Sequence, residues 1–209
     1  MRHVLCEKSP YYCYDELGEL RKAVVDTLRG VKNHPRVVSF KGMKMLFRVV
    51  NHFNQPCIMQ VGSSYGLTTA AMLNVCSTSR VWLYDPHLEA YDVTARVLMP
   101  YLDRVQCYDR LHVAVTDYGC SVPDGSFPLV LVNSIPHESN LHEMEAWLAS
   151  MLDDDSVIMM RNLHRSAPMR HLWQHLRQNM SQGQSFTNEK TALIVTHRKL
   201  NLQHFFLWF

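Results

Sequence analysis

The chain of 209 residues contains no apolar segment long enough to cross a membrane. A transmembrane helix needs about 20 mostly apolar residues, and every apolar run here is much shorter. The first seven residues also lack the apolar core of a signal peptide. We therefore expect a cytoplasmic protein with no membrane partner, folded as one unit that buries roughly 70% of its unfolded surface.

The six cysteines include no C-x-x-C pair and have no histidine at zinc-finger spacing. Cys57 and Cys107 fall in predicted strands, where a reduced thiol behaves as a small apolar residue. His171 and His175 lie one helical turn apart and could chelate a metal. Because no third ligand accompanies them, the sequence favours a solvated helix face and no metal site.

Basic residues do not alternate with aromatic ones in any stripe, so nucleic acid is not an expected partner. The net charge of +2 hides a segregation along the chain. Residues 1–48 hold 10 basic and 5 acidic side chains, residues 85–155 hold 3 and 13, and residues 156–209 hold 7 and 1. The basic ends could meet an anionic ligand, or could match the acidic middle within the chain or across a homodimer.

Neither of the two commonest phosphate-binding loops is present, since one needs G-x-G-x-x-G and the other ends in Gly-Lys-Ser/Thr. The missing third glycine disfavours a nucleotide-dependent oxidoreductase. A buried strand predicted at residues 57–61 leads instead to Gly62 and Gly66, and a helix is predicted over residues 67–75. Glycine lets the backbone approach a ligand, and open α/β sheets bind ligands at such turns.

Strands and helices alternate after residue 55, which predicts a mostly parallel sheet with helices on both faces. Two amphipathic helices precede it, one capped by Asp15 and one over residues 40–53, with a break at Asn33-His34-Pro35. We predict a helical extension over residues 1–54 and an α/β unit over residues 55–209. Later strands are predicted at 80–84, 104–108, 127–132, 156–160, 191–197 and 204–209. Further helices are predicted from Leu88 to Pro100, over 141–151 and over 169–180.

Acidic or polar residues follow four successive predicted strands: Asp85, Asp109, Asn133 and then Arg161-Asn162. The carboxyl ends of parallel strands meet at one sheet edge, so these residues should lie together. With the glycine turn, this order resembles the class I S-adenosylmethionine (SAM) dependent methyltransferases of the small-molecule O-methyltransferase type, over about residues 46–197. The resemblance implies an α/β, Rossmann-like class I methyltransferase fold with a reversed C-terminal strand.

A second similarity lies near the N-terminus, where Ser9-Pro10-Tyr11 resembles a methyltransferase-like group that carries Ser-Pro-Phe. The resemblance implies SAM as the cofactor and a small molecule as the methyl acceptor. The cofactor-binding residues that it implies are Gln60, Gly62, Ser63, Ser64, Tyr65, Gly66, Asp85 and Asp109.

Asp85 would accept hydrogen bonds from the ribose hydroxyls, and Asp109 could reach the adenine amino group. Each assignment has a structural alternative. Asp85 could cap the helix that begins near Leu88, the two glycines could form a tight turn, and Asp109 could be a solvated loop acid.

The chain departs from the resemblance at three positions. Gln60 replaces the acidic residue of the glycine-turn motif, which weakens a partner for the cofactor's ammonium. Asn133 and Arg161 stand where cation-dependent members place magnesium ligands, and a hard dication needs carboxylate oxygens. We therefore expect metal-independent chemistry, with Asn133, Arg161 and His164 as the catalytic candidates.

His164 is the candidate base, since an imidazole titrates near neutral pH, although a surface or structural histidine is the simpler interpretation. Arg161, Arg165 and Arg170 could bind an anionic substrate, but a dimer interface or plain surface is the simpler interpretation. The leading hypothesis is SAM-dependent methyl transfer. The alternative is a methyltransferase-fold protein that has lost catalysis and serves in binding or assembly, because function lies in the site and not in the fold.

Overall fold

The computed structural model describes Val4 and residues 14–32, 36–75, 78–86 and 92–208. The Ser9-Pro10-Tyr11 segment, the break at residues 33–35 and the helix start predicted at Leu88 lie outside the described residues. None of the described helices is long and apolar enough to span a membrane.

An eight-stranded sheet organises the chain, in the order β3-β2-β1-β4-β5-β7-β6-β8. Its strands are β1 (Cys57–Val61), β2 (Arg80–Tyr84), β3 (Val105–Tyr108), β4 (Leu129–Val132), β5 (Ser156–Arg161), β6 (Gln184–Thr187), β7 (Thr191–Thr196) and β8 (Gln203–Phe206). The first five strands are parallel, and β7 runs antiparallel to both β5 and β6. The predicted parallel sheet with a reversed C-terminal strand is confirmed.

Helices cover both faces of this sheet. They are α1 (Asp15–Thr27), α2 (Phe40–Phe53), α3 (Leu67–Leu73), α4 (Asp92–Leu98), α5 (Leu111–Ser121), α6 (Leu141–Ser150) and α7 (Ala167–Asn179). Helices α1 to α4 share one apolar core with Ile58 and Leu83, whereas α5 to α7 pack with Met59 and Tyr84 on the other face. Because neighbouring residues of a strand point to opposite faces, a strand buried on both sides is a continuous apolar run.

The helices of residues 1–54 belong to the same core as the sheet. Leu17 of α1 and Met43 of α2 are buried in the cluster that contains Ile58 of β1. Helix α2 is capped by Ser39, whose Oγ accepts the Gly42 N–H at 3.1 Å. The prediction of a boundary at residue 54 stays a prediction, and α2 contributes directly to the cavity described below.

Some local predictions are wrong. Asp15 is not a cap, because α1 begins at Asp15 itself, follows Tyr14, and has no side-chain cap. The last strand ends at Phe206 and does not continue to residue 209. Cys57 is buried as expected, but Cys107 is exposed because β3 is the edge strand of the sheet.

Helix α5 and strand β6 were not predicted. The polar sequence of β6, Gln-Ser-Phe-Thr, carries one large apolar residue and therefore gives no strand signal. It becomes a strand because its backbone pairs with β7 on one side and β8 on the other.

Candidate functional site

A cavity of about 710 Å³ lies at the carboxyl edge of the parallel strands, a volume typical of small-molecule sites. Its wall combines the turn after β1, the ends of β2, β4 and β5, the start of α2 and the β6–β7 turn. The predicted site residues that line it are Ser63, Ser64, Tyr65, Asp85, Asn133, Arg161 and His164. The others, Gln60, Gly62, Gly66 and Asp109, are described by the structure but do not line it.

The turn after β1 has an unusual left-handed backbone. The φ angles are +79° at Gly62, 49° at Ser64, 61° at Tyr65 and 78° at Gly66. This conformation is unfavourable for the two non-glycine residues, and such strain is concentrated at functional sites. The contacts of the glycines match the tight-turn alternative, since an added Cβ would meet Ser134 at Gly62 and the α4 side chains at Gly66.

Gln60 is fully buried, and its amide is engaged inside the turn. Its Nε2 donates to the Gly62 carbonyl and to the Thr68 hydroxyl, both at 2.8 Å, and its Oε1 accepts from the Thr69 hydroxyl at 2.9 Å. A carboxylate at this position could not donate these two bonds. The glutamine therefore stabilises the turn and does not line the cavity, and its role towards the cofactor stays a prediction.

Asp85 connects the end of β2 with the turn after β1. Its Oδ2 accepts the Ser63 N–H at 2.8 Å, and the side chain lines the cavity. The alternative role as a helix cap concerns residues 87–91, which lie outside the described residues. Asp109 is exposed, so its role at adenine stays a prediction.

Asn133 is buried at the end of β4 and joins the turn to the end of β5. Its Nδ2 donates to the Gly62 carbonyl at 2.7 Å and to the Thr68 hydroxyl at 3.1 Å. Its Oδ1 accepts from Arg161 Nη1 at 3.1 Å. Both amide hydrogens and one oxygen lone pair are therefore used within the protein, which favours a positioning role for Asn133.

Arg161 is only 8% exposed, although it lines the cavity. Its Nε is buried without a hydrogen-bond partner among the described residues. Burial, with a smaller effect of Arg165, lowers the pKa of Arg161 to about 10, so the side chain stays charged at pH 7. A cation here, beside an amide that is already engaged, does not fit a magnesium site, which needs several oxygen ligands.

His164 lies at the rim of the cavity, in the 3-10 turn after β5. Its Nε2 accepts the Arg165 Nε–H at 2.9 Å, which places the proton of the neutral ring on Nδ1. Partial desolvation and the cations Arg165, Lys190 and Arg36 lower the pKa of His164 below its usual 6.5. The ring nitrogen that would act as a base is thus occupied by Arg165.

Four cationic wall residues were not predicted as site residues: Arg21, Arg36, Lys41 and Lys190. The excess of basic residues at both ends of the chain was the available signal. Of the three arginines named near β5, Arg161 and Arg165 line the cavity, whereas Arg170 donates to the His164 carbonyl at 3.2 Å.

The histidine pair on α7 is not arranged as a chelate. His171 Nδ1 lies 2.7 Å from Oε1 of the buried Glu145 on α6, which ties the two helices together. Among the described residues, no group of three histidine, cysteine or acidic side chains could hold a metal ion.

The fold of the chain matches that of solved methyltransferases. An O-methyltransferase from Bacillus cereus in complex with SAH (S-adenosylhomocysteine) is 15% identical, with a TM-score of 0.62, covering 90% of this chain and 93% of that chain. The O-methyltransferase TomG from Streptomyces achromogenes, in complex with SAM, is 14% identical, with a TM-score of 0.62, covering 93% and 94%. A methyltransferase from Geobacter sulfurreducens is 15% identical, with a TM-score of 0.63, covering 90% and 91%.

No protein-family model and no curated protein matches the chain in sequence. At this low identity, the likeness to solved structures establishes the fold and not the activity. The chain has the fold of the class I SAM-dependent methyltransferases, which confirms the predicted fold class.

Proposed function

We propose that the protein is a SAM-dependent methyltransferase that acts on an oxygen of a small molecule without a metal ion. The observation that carries the proposal is the position of Asp85. It lies in the wall of a cavity of about 710 Å³, beside the left-handed turn after β1, in a fold whose solved examples hold SAM or SAH.

The residues at this end of the cavity suit an adenosyl group. The Asp85 carboxylate would accept hydrogen bonds from the ribose hydroxyls. The hydrogen bond that the Ser63 N–H donates to it holds the carboxylate in place. Ser63, Ser64 and Tyr65 would lie along the methionine part of the cofactor. Gln60 does not reach the cavity, so the ammonium group has no carboxylate partner at the end of β1.

Bound SAM would supply a sulfonium methyl group. An acceptor oxygen would take this methyl group with its own lone pair, and S-adenosylhomocysteine would leave with the electrons of the carbon–sulfur bond. The hydroxyl proton of the acceptor passes to water. The cavity cations assist by lowering the pKa of that hydroxyl, since nearby positive charge favours the oxyanion.

The protein residues take the place of a metal in this proposal. Arg161 carries a fixed positive charge at the end of β5, held by Asn133 Oδ1 at 3.1 Å. Methyl transfer should therefore continue in excess EDTA. Activity that disappears with EDTA and returns with magnesium would contradict a metal-independent reaction.

Calorimetric titration with SAH tests cofactor binding. We expect heat of binding for the wild type and at least about a tenfold weaker affinity for Asp85→Ala, equivalent to about 1.4 kcal/mol. Asp124→Ala is the control, because it removes the same charge from an exposed residue outside the cavity wall.

A wild type that gives no heat and no rise in melting temperature at millimolar SAH would overturn the proposal, since a ligand of the native state must raise stability. Equal affinity of the wild type and Asp85→Ala would overturn the role of Asp85. The proposal includes a cytoplasmic location and a homodimer, which cell fractionation and light scattering test.

A further inference from the structure

The cavity wall carries an unbalanced positive charge. Its cationic side chains are Arg21, Arg36, Lys41, Arg161, Arg165 and Lys190. Asp85 is the only acidic side chain in the wall among the residues that the structure describes. His164 adds no charge at neutral pH, because its pKa lies below 6.5.

No recorded salt bridge of the described residues neutralises these cations. Within residues 14–32, 36–75, 78–86 and 92–208, every recorded salt bridge lies elsewhere, and none involves a cation of the cavity wall. The sequence explains part of this, because residues 27–84 contain no aspartate or glutamate at all. The wall thus presents a field that attracts anions, and the concave surface strengthens that field.

Arg161 is the part of this wall that is removed from water. Its Nε has no hydrogen-bond partner among the described residues, and burying such a group is costly. A ligand in the adjoining cavity would supply the missing partner. Gly42 makes room for it, since a Cβ at that position would lie 2.6 Å from Arg161 Nη2. Glycine inside α2 itself weakens the helix, so the space beside the guanidinium is retained at a cost.

Asp85 and Arg161 lie at the ends of different strands along the cavity edge. Asp85 follows β2 and Arg161 follows β5, and the sheet order places two strands between them. Three strand spacings correspond to about 14 Å between the two positions. An adenosyl group beside Asp85 leaves the part of the cavity around Arg161 for a second molecule.

We propose that the methyl acceptor is a multivalent anion, a phosphate ester or a polycarboxylate, whose anionic group pairs with Arg161 in this cavity of cationic side chains. This inference rests on the proposed function, since only a methyltransferase has a methyl acceptor. Anion binding can nevertheless be measured without catalysis. Bidentate pairing with a phosphate or carboxylate is the geometry that a guanidinium favours.

The anion that pairs with Arg161 could belong to the acceptor or to the cofactor, because the methionine part of SAM also carries a carboxylate. SAH and 5′-methylthioadenosine separate them, since the second compound lacks the amino-acid group. If Arg161 binds the acceptor, Arg161→Met leaves the affinity for both compounds unchanged. If Arg161 binds the cofactor, the variant loses affinity for SAH alone, and the proposal is overturned.

The direct test is calorimetric titration with inorganic pyrophosphate and with citrate, at low ionic strength, with and without saturating SAH. We expect binding that weakens with added sodium chloride and at least about a tenfold loss in Arg161→Met. Arg165→Met and Lys190→Met, at exposed positions that tolerate substitution, should each weaken binding about threefold. The tighter of the two anions identifies the anionic group of the acceptor.

Arg177→Met is the matched control, because it removes one positive charge from the exposed side of α7, away from the cavity wall. Its affinity for pyrophosphate should stay within about twofold of the wild type. The inference would be overturned if the wild type bound neither pyrophosphate nor citrate. It would also be overturned if Arg177→Met and Arg161→Met lost the same affinity. SAH binding without anion binding would leave the proposed function intact, and anion binding without SAH binding would overturn the proposed function alone.

Discussion

Replacing Arg161 with methionine removes a buried cation that has no acidic partner in the described part of the chain, so the folded protein should not lose stability. Burial lowers the pKa of Arg161 from its ordinary value to about 10. At pH 7 the group is charged in both the folded and the unfolded chain, because both pKa values lie above the pH. The folded state therefore carries the full free-energy cost of burying the charged guanidinium. This cost begins to lessen only as the pH approaches 10.

The size of the effect follows from two opposing terms. The lowered pKa corresponds to about 3 kcal/mol that the charged side chain costs the folded state. Against this, Asn133 Oδ1 loses its partner in a buried position, which costs about 1–3 kcal/mol. We expect the free energy of unfolding of Arg161→Met to lie between that of the wild type and about 2 kcal/mol above it.

Urea unfolding at pH 7, followed by tryptophan fluorescence, measures this difference. The buffer must be free of phosphate and citrate, because an anion bound to Arg161 would stabilise the wild type alone. Arg48→Met is the matched control, since Arg48 is 7% exposed but its Nε donates to the Val4 carbonyl at 2.8 Å. The control should lose about 1–3 kcal/mol. An equal loss in Arg161→Met would refute the argument that Arg161 is kept for a ligand.

Two further predictions concern the turn and the candidate base. Gln60→Glu places a carboxylate oxygen against the Gly62 carbonyl, so it should lower the free energy of unfolding by about 2–4 kcal/mol at pH 7. Burial raises the pKa of such a glutamate, so the loss of unfolding free energy should shrink as the pH falls towards about 5. Urea unfolding at pH 7 and at about pH 5 checks this, and an equal loss at both pH values would contradict it. Because the pKa of His164 lies below 6.5, its ring stays neutral from about pH 7 to 8.5, and the pH profile of the methyl-transfer rate should have the same shape in the wild type and in His164→Gln. A rate that rises through pH 7 in the wild type, but not in His164→Gln, would show instead that His164 is a base with an ordinary pKa.

The central sheet could be predicted because its strands carry their own signal. Val130 and Ile158 are buried on one face and Leu131 and Met159 on the other, so β4 and β5 are continuous apolar runs. The prediction that Asp15 caps a helix was wrong because a short polar residue near a helix start can occupy the first turn as well as the cap position. Strand β6 failed because its pairing partners, and not its composition, make it a strand.

The candidate site could be predicted only at the strand ends. Asp85, Asn133 and Arg161 come together because parallel strands bring their carboxyl ends to one edge. Lys41 and Lys190 reach the same cavity from α2 and the β6–β7 turn, and that approach depends on tertiary packing. The hydrogen bonds of the Gln60 and Asn133 amides also depend on the folded turn. The sequence therefore shows that these two residues depart from the family's pattern, but not which groups they bond to.

A crystal structure with SAH tests the central claim most directly. The account predicts the ribose hydroxyls within hydrogen-bond distance of the Asp85 carboxylate, the methionine part beside Ser63 to Tyr65, and the space around Arg161 left to a second ligand. Adenosine bound elsewhere, or a metal ion ligated by Asn133, would contradict it.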